Sequence, residues 1–199
     1  MTTAQEAIER YLAGLPDGLG SFPTYVQKGS VFREFLRGFA ASRLLPALPA
    51  EVAALITTPP SVNEWIPEVH ANVVWVAARA ELFPDDDAFE EMAHRQNLRL
   101  ISSPLYAILF KLVSPERVLR SASSRWAQFH RGIELGTPTF REREATIEMR
   151  CPRGLVPSFL AKAYATGFRA ALEAAGGRHV RVELVDQAAS GFTFRGTWT

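Results

Sequence analysis

Four histidines occur in the sequence, and imidazole is the side chain that most often binds metals or transfers protons near neutral pH. They are His70, His94, His130 and His179. No two of them are three or four residues apart, so no helix carries a metal-binding pair of histidines. The sequence therefore predicts no metal site.

The thiol and the carboxylates also follow structural patterns. Cys151 is the single cysteine, and it falls on the apolar parity of a predicted strand, which favours a buried structural residue over a nucleophile. The acidic run from Asp85 to Asp87 precedes Glu90 at the spacing of a helix N-terminus, where carboxylates satisfy free N–H groups. The sequence contains no GxSxG, phosphate-loop or dinucleotide-binding motif. We therefore expect no catalytic residues and no enzymatic activity.

His130 differs from the other histidines in its surroundings. It lies one helical turn after Trp126 and next to Phe129, at the margin of an apolar helix face. An imidazole in this position either ligates haem iron or forms a hydrogen bond with a loop carbonyl. The spacing alone favours the structural role.

The clearest helix of the chain lies within residues 154–177, where apolar residues recur every three or four positions. Pro157 suits its first turn, and a glycine pair suits its end. Alternating apolar residues then predict two strands, within 180–184 and 192–195. We expect the helix to pack on the resulting sheet through Phe159, Ala163, Phe168 and Leu172.

Apolar residues also alternate along the chain, with a period of two, between residues 136 and 151. Phe140 has the opposite parity to Ile147, so one face stays buried only if a turn or bulge lies within 143–145. Two strands are therefore predicted there. With the two terminal strands they form a four-stranded antiparallel sheet crossed by the long helix.

Helical spacing dominates the chain before residue 136. A central core helix is predicted from Ile66 to Phe83, and serine-proline pairs mark later helix starts. The helix expected after Ser103 has its apolar face at Leu105, Ile108, Leu109 and Leu112. The sequence thus predicts one α+β domain over 1–199, with a helical part at 1–135 and a sheet-plus-helix part at 136–199.

Composition narrows the class of protein. The chain has 199 residues, of which 47% are apolar and 22% charged, with a net charge of +1. These values are typical of a soluble globular domain, and the balanced charge provides no field for nucleic acid or anionic membranes. The N-terminal stretch MTTAQEAIERYLAGL carries acids and no long apolar run, which predicts neither a signal peptide nor a membrane span. We expect a cytoplasmic protein.

Phe129-His130 and the stretch TPTFREREATIEMRCPRGLVPSFLAKAYATGFRAAL, residues 137–172, resemble the haem-nitric-oxide-binding domain. That family has helices first, a histidine ligand on a helix, a strand with Tyr-x-Ser-x-Arg, a long helix and two closing strands. Vinyl-4-reductase-type ligand domains and some trafficking-complex subunits share its α/β core. In length and endings the chain is most similar to uncharacterised paralogues expanded in myxobacteria.

The resemblance assigns roles to individual residues. His130 matches the iron ligand, and Arg153 matches the arginine that contacts the haem propionates. Met149 stands where the family has tyrosine and Cys151 where it has serine, and the loop after His130 is shorter. These departures predict a relative without a cofactor, in which haem is disfavoured and an apolar cavity is retained.

The sequence therefore predicts a non-enzymatic, sensor-type domain that binds a small apolar or amphipathic ligand. We place the ligand site between the helical part and the long helix, at Trp126, Phe129, His130, Arg153 and Leu155. A ligand carboxylate would pair with Arg153. Two alternatives stay open: a protein-interaction or homodimerisation scaffold without a ligand, and a haem-based gas sensor with His130 as the iron ligand.

Overall fold

The computed structural model describes residues 3–110 and 114–199. Its α-helices are α1 (Ala4–Ala13), α2 (Gly29–Leu36), α3 (Ala50–Thr57), α4 (Glu68–Leu82), α5 (Asp86–Ser102), α6 (Ala107–Phe110), α7 (Pro115–Arg120), α8 (Ala122–Trp126) and α9 (Ser158–Ala174). Its strands are β1 (Val26–Lys28), β2 (Trp65–Pro67), β3 (His130–Arg131), β4 (Glu134–Leu135), β5 (Thr139–Arg141), β6 (Glu144–Arg150), β7 (Arg181–Ala188) and β8 (Gly191–Thr197). Short 3₁₀ helices span Gly18–Gly20 and Ala41–Ala47.

Helix starts follow the capping residues read from the sequence. The side chain of Asp85 accepts a hydrogen bond from the backbone N–H of Ala88 at 2.8 Å, so the acidic run caps α5 as predicted. Ser114 caps α7 in the same way, with Pro115 at the first helical position. These ends are locally encoded, because each cap bonds within one turn of its own helix.

A three-stranded antiparallel sheet in the order β2-β1-β3 lies in the part of the chain expected to be all helical. Its strands are too short for alternation to be visible in the sequence. His130 pairs with Gln27 in this sheet, so it lies on a strand rather than on a helix. Helix α8 ends at Trp126. The following residues pair with β1, and Lys28 N–H donates a 2.8 Å hydrogen bond to the Phe129 carbonyl.

The second sheet is antiparallel and has five strands, with β4-β6-β8-β7 in order and β5 also on β6. The α+β class is confirmed, and the extra strand is β4, whose two residues again give no periodic signal. The predicted turn is present but begins one residue earlier than expected, at residues 142–143, with Glu142 at φ +52°. Ile147 and Met149 point into the core as their parity predicts.

Helix α9 lies between this sheet and α5. Phe168 meets Phe194 of β8 at a ring-centroid distance of 5.1 Å, as the prediction of packing on the sheet requires. Phe159 instead contacts Phe89 of α5 at 5.3 Å. The helix is therefore buried on two sides, because its apolar stripe is wider than a single sheet contact needs.

Core residues from both sides of residue 135 belong to one hydrophobic cluster, which includes Trp75 and Phe194. The helix predicted after Ser103 differs from expectation. Within the described residues 104–110, the only regular element is α6, and Leu105 and Ile108 are 52% and 82% exposed. The side chain of Leu109 and the whole of Leu112 lie outside the described part of the chain. No helix in the described ranges is long and apolar enough to cross a membrane.

Candidate functional site

An apolar cavity of about 100 Å³ lies where α2, α5, α7, α8 and α9 meet. Each of these helices contributes apolar side chains to its wall. The polar side chains in that wall are Asn97, Arg125, His130 and Tyr164. Pockets of this composition, apolar with a few polar groups, are typical ligand sites.

Trp126 and His130 form part of the cavity wall as a parallel pair of rings, with centroids 4.1 Å apart and 14° between the planes. The indole Nε1–H donates to the Ile133 carbonyl at 2.9 Å, which orients the indole against the imidazole. The ring of Tyr164 packs edge-on against Trp126, with the ring centroids 5.4 Å apart. The imidazole is therefore held rigidly at the cavity.

A buried carboxylate orients His130. Glu68 begins α4 and is 1% exposed, and its Oε2 lies 3.3 Å from His130 Nδ1. Its Oε1 accepts a 2.6 Å hydrogen bond from the Tyr164 hydroxyl. Both carboxylate oxygens thus have partners, and the N-terminal end of α4 favours the negative charge. Three residues far apart in the chain make one buried hydrogen-bonded cluster.

The protonation of this cluster follows from its burial. Burial, together with the charge and hydrogen bond of Glu68, raises the pKa of Tyr164 well above its ordinary value, so the phenol stays protonated and donates. If Glu68 is ionised, its carboxylate can only accept, and the hydrogen bond between the two residues is then donated by Nδ1 of His130. In the uncharged ring, the lone pair is then on Nε2, for which no hydrogen-bond partner occurs within 3–110 and 114–199.

The structure brings together some of the residues predicted for the site. Trp126, Phe129 and His130 line the cavity. Leu155 is fully buried elsewhere, and its carbonyl accepts hydrogen bonds from Tyr11 and Asn72, both at 2.8 Å. The roles of Trp126, Phe129, His130 and Leu155 in ligand binding stay predictions.

Arg153 lies on the surface, in the turn before α9, outside the cavity wall. Cys151 and Met149, at the positions of the family's serine and tyrosine, are buried in the core. Burial and the nearby charge of Glu68 raise the pKa of the Cys151 thiol to about 11. The motif positions therefore carry a protonated thiol and a thioether.

Sequence reasoning missed Glu68, Tyr164 and Arg125. A signal existed for Glu68, because α4 is apolar on nearly every side and a carboxylate at its start has little water to face. Tyr164 and Arg125 look like ordinary residues of amphipathic helices. Among the described residues, no group of three or more histidine, cysteine or acidic side chains is placed to hold a metal ion.

No protein-family model matches the chain, and no curated protein matches it either. Solved structures do match. An oxygen-binding H-NOX domain related to soluble guanylate cyclases, in its oxygen complex, has a TM-score of 0.62 and 11% identity, covering 86% of this chain and 92% of its own. An unliganded Fe(II) H-NOX mutant from K. algicida has a TM-score of 0.61 and 11% identity, covering 86% and 96%.

The chain has the H-NOX fold. A further neighbour, solved to study haem redox potential under porphyrin distortion, has a TM-score of 0.63 at 11% identity, and it covers 86% of this chain and 92% of its own. The expectation of no cofactor is thus contradicted, because these neighbours are haem-binding domains. The narrower resemblance to myxobacterial paralogues stays a prediction.

The residues present fit a haem in part. An imidazole with a carboxylate on Nδ1 and a lone pair on Nε2 is the arrangement that metal-ligating histidines adopt. The apolar side chains of the cavity wall also suit a porphyrin ring. The cavity of about 100 Å³ is smaller than the roughly 150 Å³ that holds benzene in a protein core, so a porphyrin enters only if the wall moves.

Proposed function

We propose that this chain is a sensor-type domain that binds its ligand in the apolar cavity beside His130, and that haem is its cofactor with His130 as the iron ligand. The observation that supports this most directly is the contact of Glu68 with Nδ1 of His130, a histidine that lines the cavity, because a ligating imidazole would then use Nε2. The shared fold with haem-binding domains supports it independently.

The role of the protein's own residues follows from their contacts. Glu68 keeps the imidazole in one tautomer and orientation, and Tyr164 holds Glu68. When bound, haem supplies an iron whose free coordination position takes a small gas molecule. The site is assigned binding and signalling rather than catalysis.

Opening of the cavity is a condition of the proposal. Trp126 is half-buried and belongs to α8, which has five residues. A helix of this length has little stability apart from its packing. We therefore expect Trp126 and α8 to be the part of the wall that moves, while α5 and α9 stay in place.

Titration of the purified chain with haemin, followed by its visible spectrum, tests the proposal. A Soret band should saturate near one haem per chain and should be lost in His130→Ala. His179→Asn is the matched control, because His179 is exposed with φ +49°, a conformation that asparagine tolerates. Absence of a saturable band in the parent, or an unchanged band in His130→Ala, would contradict the proposal.

A further inference from the structure

Arg125 is a cation in the wall of the apolar cavity. Its Nε–H donates to the Ser121 hydroxyl at 2.7 Å, and its guanidinium carbon lies 5.3 Å from the centroid of the Phe110 ring. The side chain is half-buried. It is therefore held between the hydroxyl of Ser121, at the junction of α7 and α8, and the ring of Phe110 in α6.

Within residues 3–110 and 114–199, this guanidinium forms no ion pair with a carboxylate. The ion pairs found within 3–110 and 114–199 use other arginines, such as Arg79 with Asp86 and Arg169 with Glu173. Burial lowers the pKa of Arg125, because the charged form has lost part of its water. Arginine nonetheless stays charged in proteins. A partly buried cation that forms no ion pair among the described residues therefore lies in the wall of an apolar cavity.

The terminal N–H groups of Arg125 are suited to one class of ligand group. A guanidinium presents its N–H groups as a planar fork that matches the two oxygens of a carboxylate. The cavity wall provides apolar contacts for the rest of such a molecule. A ligand with a carboxylate on an apolar body satisfies both.

We propose that Arg125 is the anchor for a carboxylate carried by the ligand of this cavity. The inference rests on the proposed function, since it concerns the same site. It gives to Arg125 the role that the sequence suggested for Arg153. Two sources share this chemistry, a short free carboxylic acid and a propionate of haem, and they are distinguished by experiment.

The first experiment uses no haem. Pentanoate and pentanamide have the same apolar tail, and only the former is an anion. Isothermal titration of the full chain should show pentanoate binding at least tenfold more tightly than pentanamide. Arg125→Met should abolish that preference and Arg125→Lys should retain part of it, whereas the exposed Arg153→Met should leave it unchanged. Arg125→Gln serves as a second neutral variant if Arg125→Met unfolds.

The second experiment compares haemin with its dimethyl ester, in which both propionates are blocked. If haem supplies the carboxylate, Arg125→Met should weaken haemin binding about tenfold and leave the ester unaffected. If only a free acid supplies the carboxylate, Arg125→Met should weaken pentanoate binding and leave haemin binding unchanged.

The inference is overturned if the parent binds neither acid nor haemin. It also fails if the parent binds the neutral and the charged compound of each pair equally, or if the neutral variants bind pentanoate and haemin as the parent does. A Soret band that depends on His130, together with haemin and pentanoate binding that are both independent of Arg125, would leave the proposed function intact and refute this inference alone.

Discussion

The imidazole of His130 and the indole of Trp126 lie face to face at 4.1 Å, in the wall of the apolar cavity. His130 lies on the two-residue strand β3 and Trp126 ends the five-residue helix α8, so the stack joins two short elements. The Glu68 contact holds the histidine from its Nδ1 edge. The tryptophan is therefore the member of the pair whose removal enlarges the cavity without unseating the imidazole.

Trp126→Ala should make haemin binding faster and tighter while destabilising the fold. Removing a large aromatic side chain from a core costs about 3–5 kcal/mol, and a half-buried one costs about 2–3 kcal/mol. Urea unfolding and stopped-flow haemin binding measure the two effects. Trp65→Ala, outside the cavity wall, is the control. Slower binding by Trp126→Ala than by the parent would show that Trp126 does not restrict entry.

Glu68→Leu should lower the free energy of unfolding by more than a typical core substitution. It leaves the Tyr164 hydroxyl and His130 Nδ1 buried without acceptors, at about 1–3 kcal/mol for each group. Glu68→Gln should lose less of the free energy of unfolding, because its amide oxygen still accepts a hydrogen bond. Equal losses in the two variants, measured by urea unfolding, would argue against a role for these hydrogen bonds.

Phe159→Ala should destabilise the junction of α9 and α5. The half-buried ring packs edge-on against Phe89, and its removal should cost about 2–4 kcal/mol. Lys162→Ala, one turn further along the same helix with a side chain 46% exposed, should change stability by less than about 1 kcal/mol. Similar unfolding midpoints for the two variants would contradict this packing.

The Cys151 thiol should react slowly with thiol reagents at neutral pH and should lower stability at alkaline pH. Its pKa is raised from 9.0 to about 11, so between these values the folded state binds more protons than the unfolded state. The contribution to stability is complete below pH 9 and is lost as pH rises through about 11. Buried tyrosines also titrate at high pH.

Comparison with Cys151→Ala isolates the thiol from those tyrosines. The difference in unfolding free energy between parent and variant, measured from pH 8 to 11, should shrink as pH rises. A difference that is constant over this range would show that burial does not hold the thiol protonated.

Much of the fold was accessible from the sequence because its signals are local. The period of α9, the parity of Ile147 and Met149, and the cap at Asp85 each depend on residues within a few positions of one another. The α+β class follows from these signals. The position of His130 in an apolar neighbourhood was visible for the same reason.

Only the tertiary structure decided what the site contains. His130 is on a strand because β1, about a hundred residues earlier in the chain, offers it a backbone partner, and no local pattern encodes that pairing. Glu68 and Tyr164, 96 residues apart, meet only after α4 and α9 have packed. Which arginine reaches the cavity is likewise a matter of packing, since Arg125 and Arg153 look alike as isolated surface cations until α8 is placed against the core.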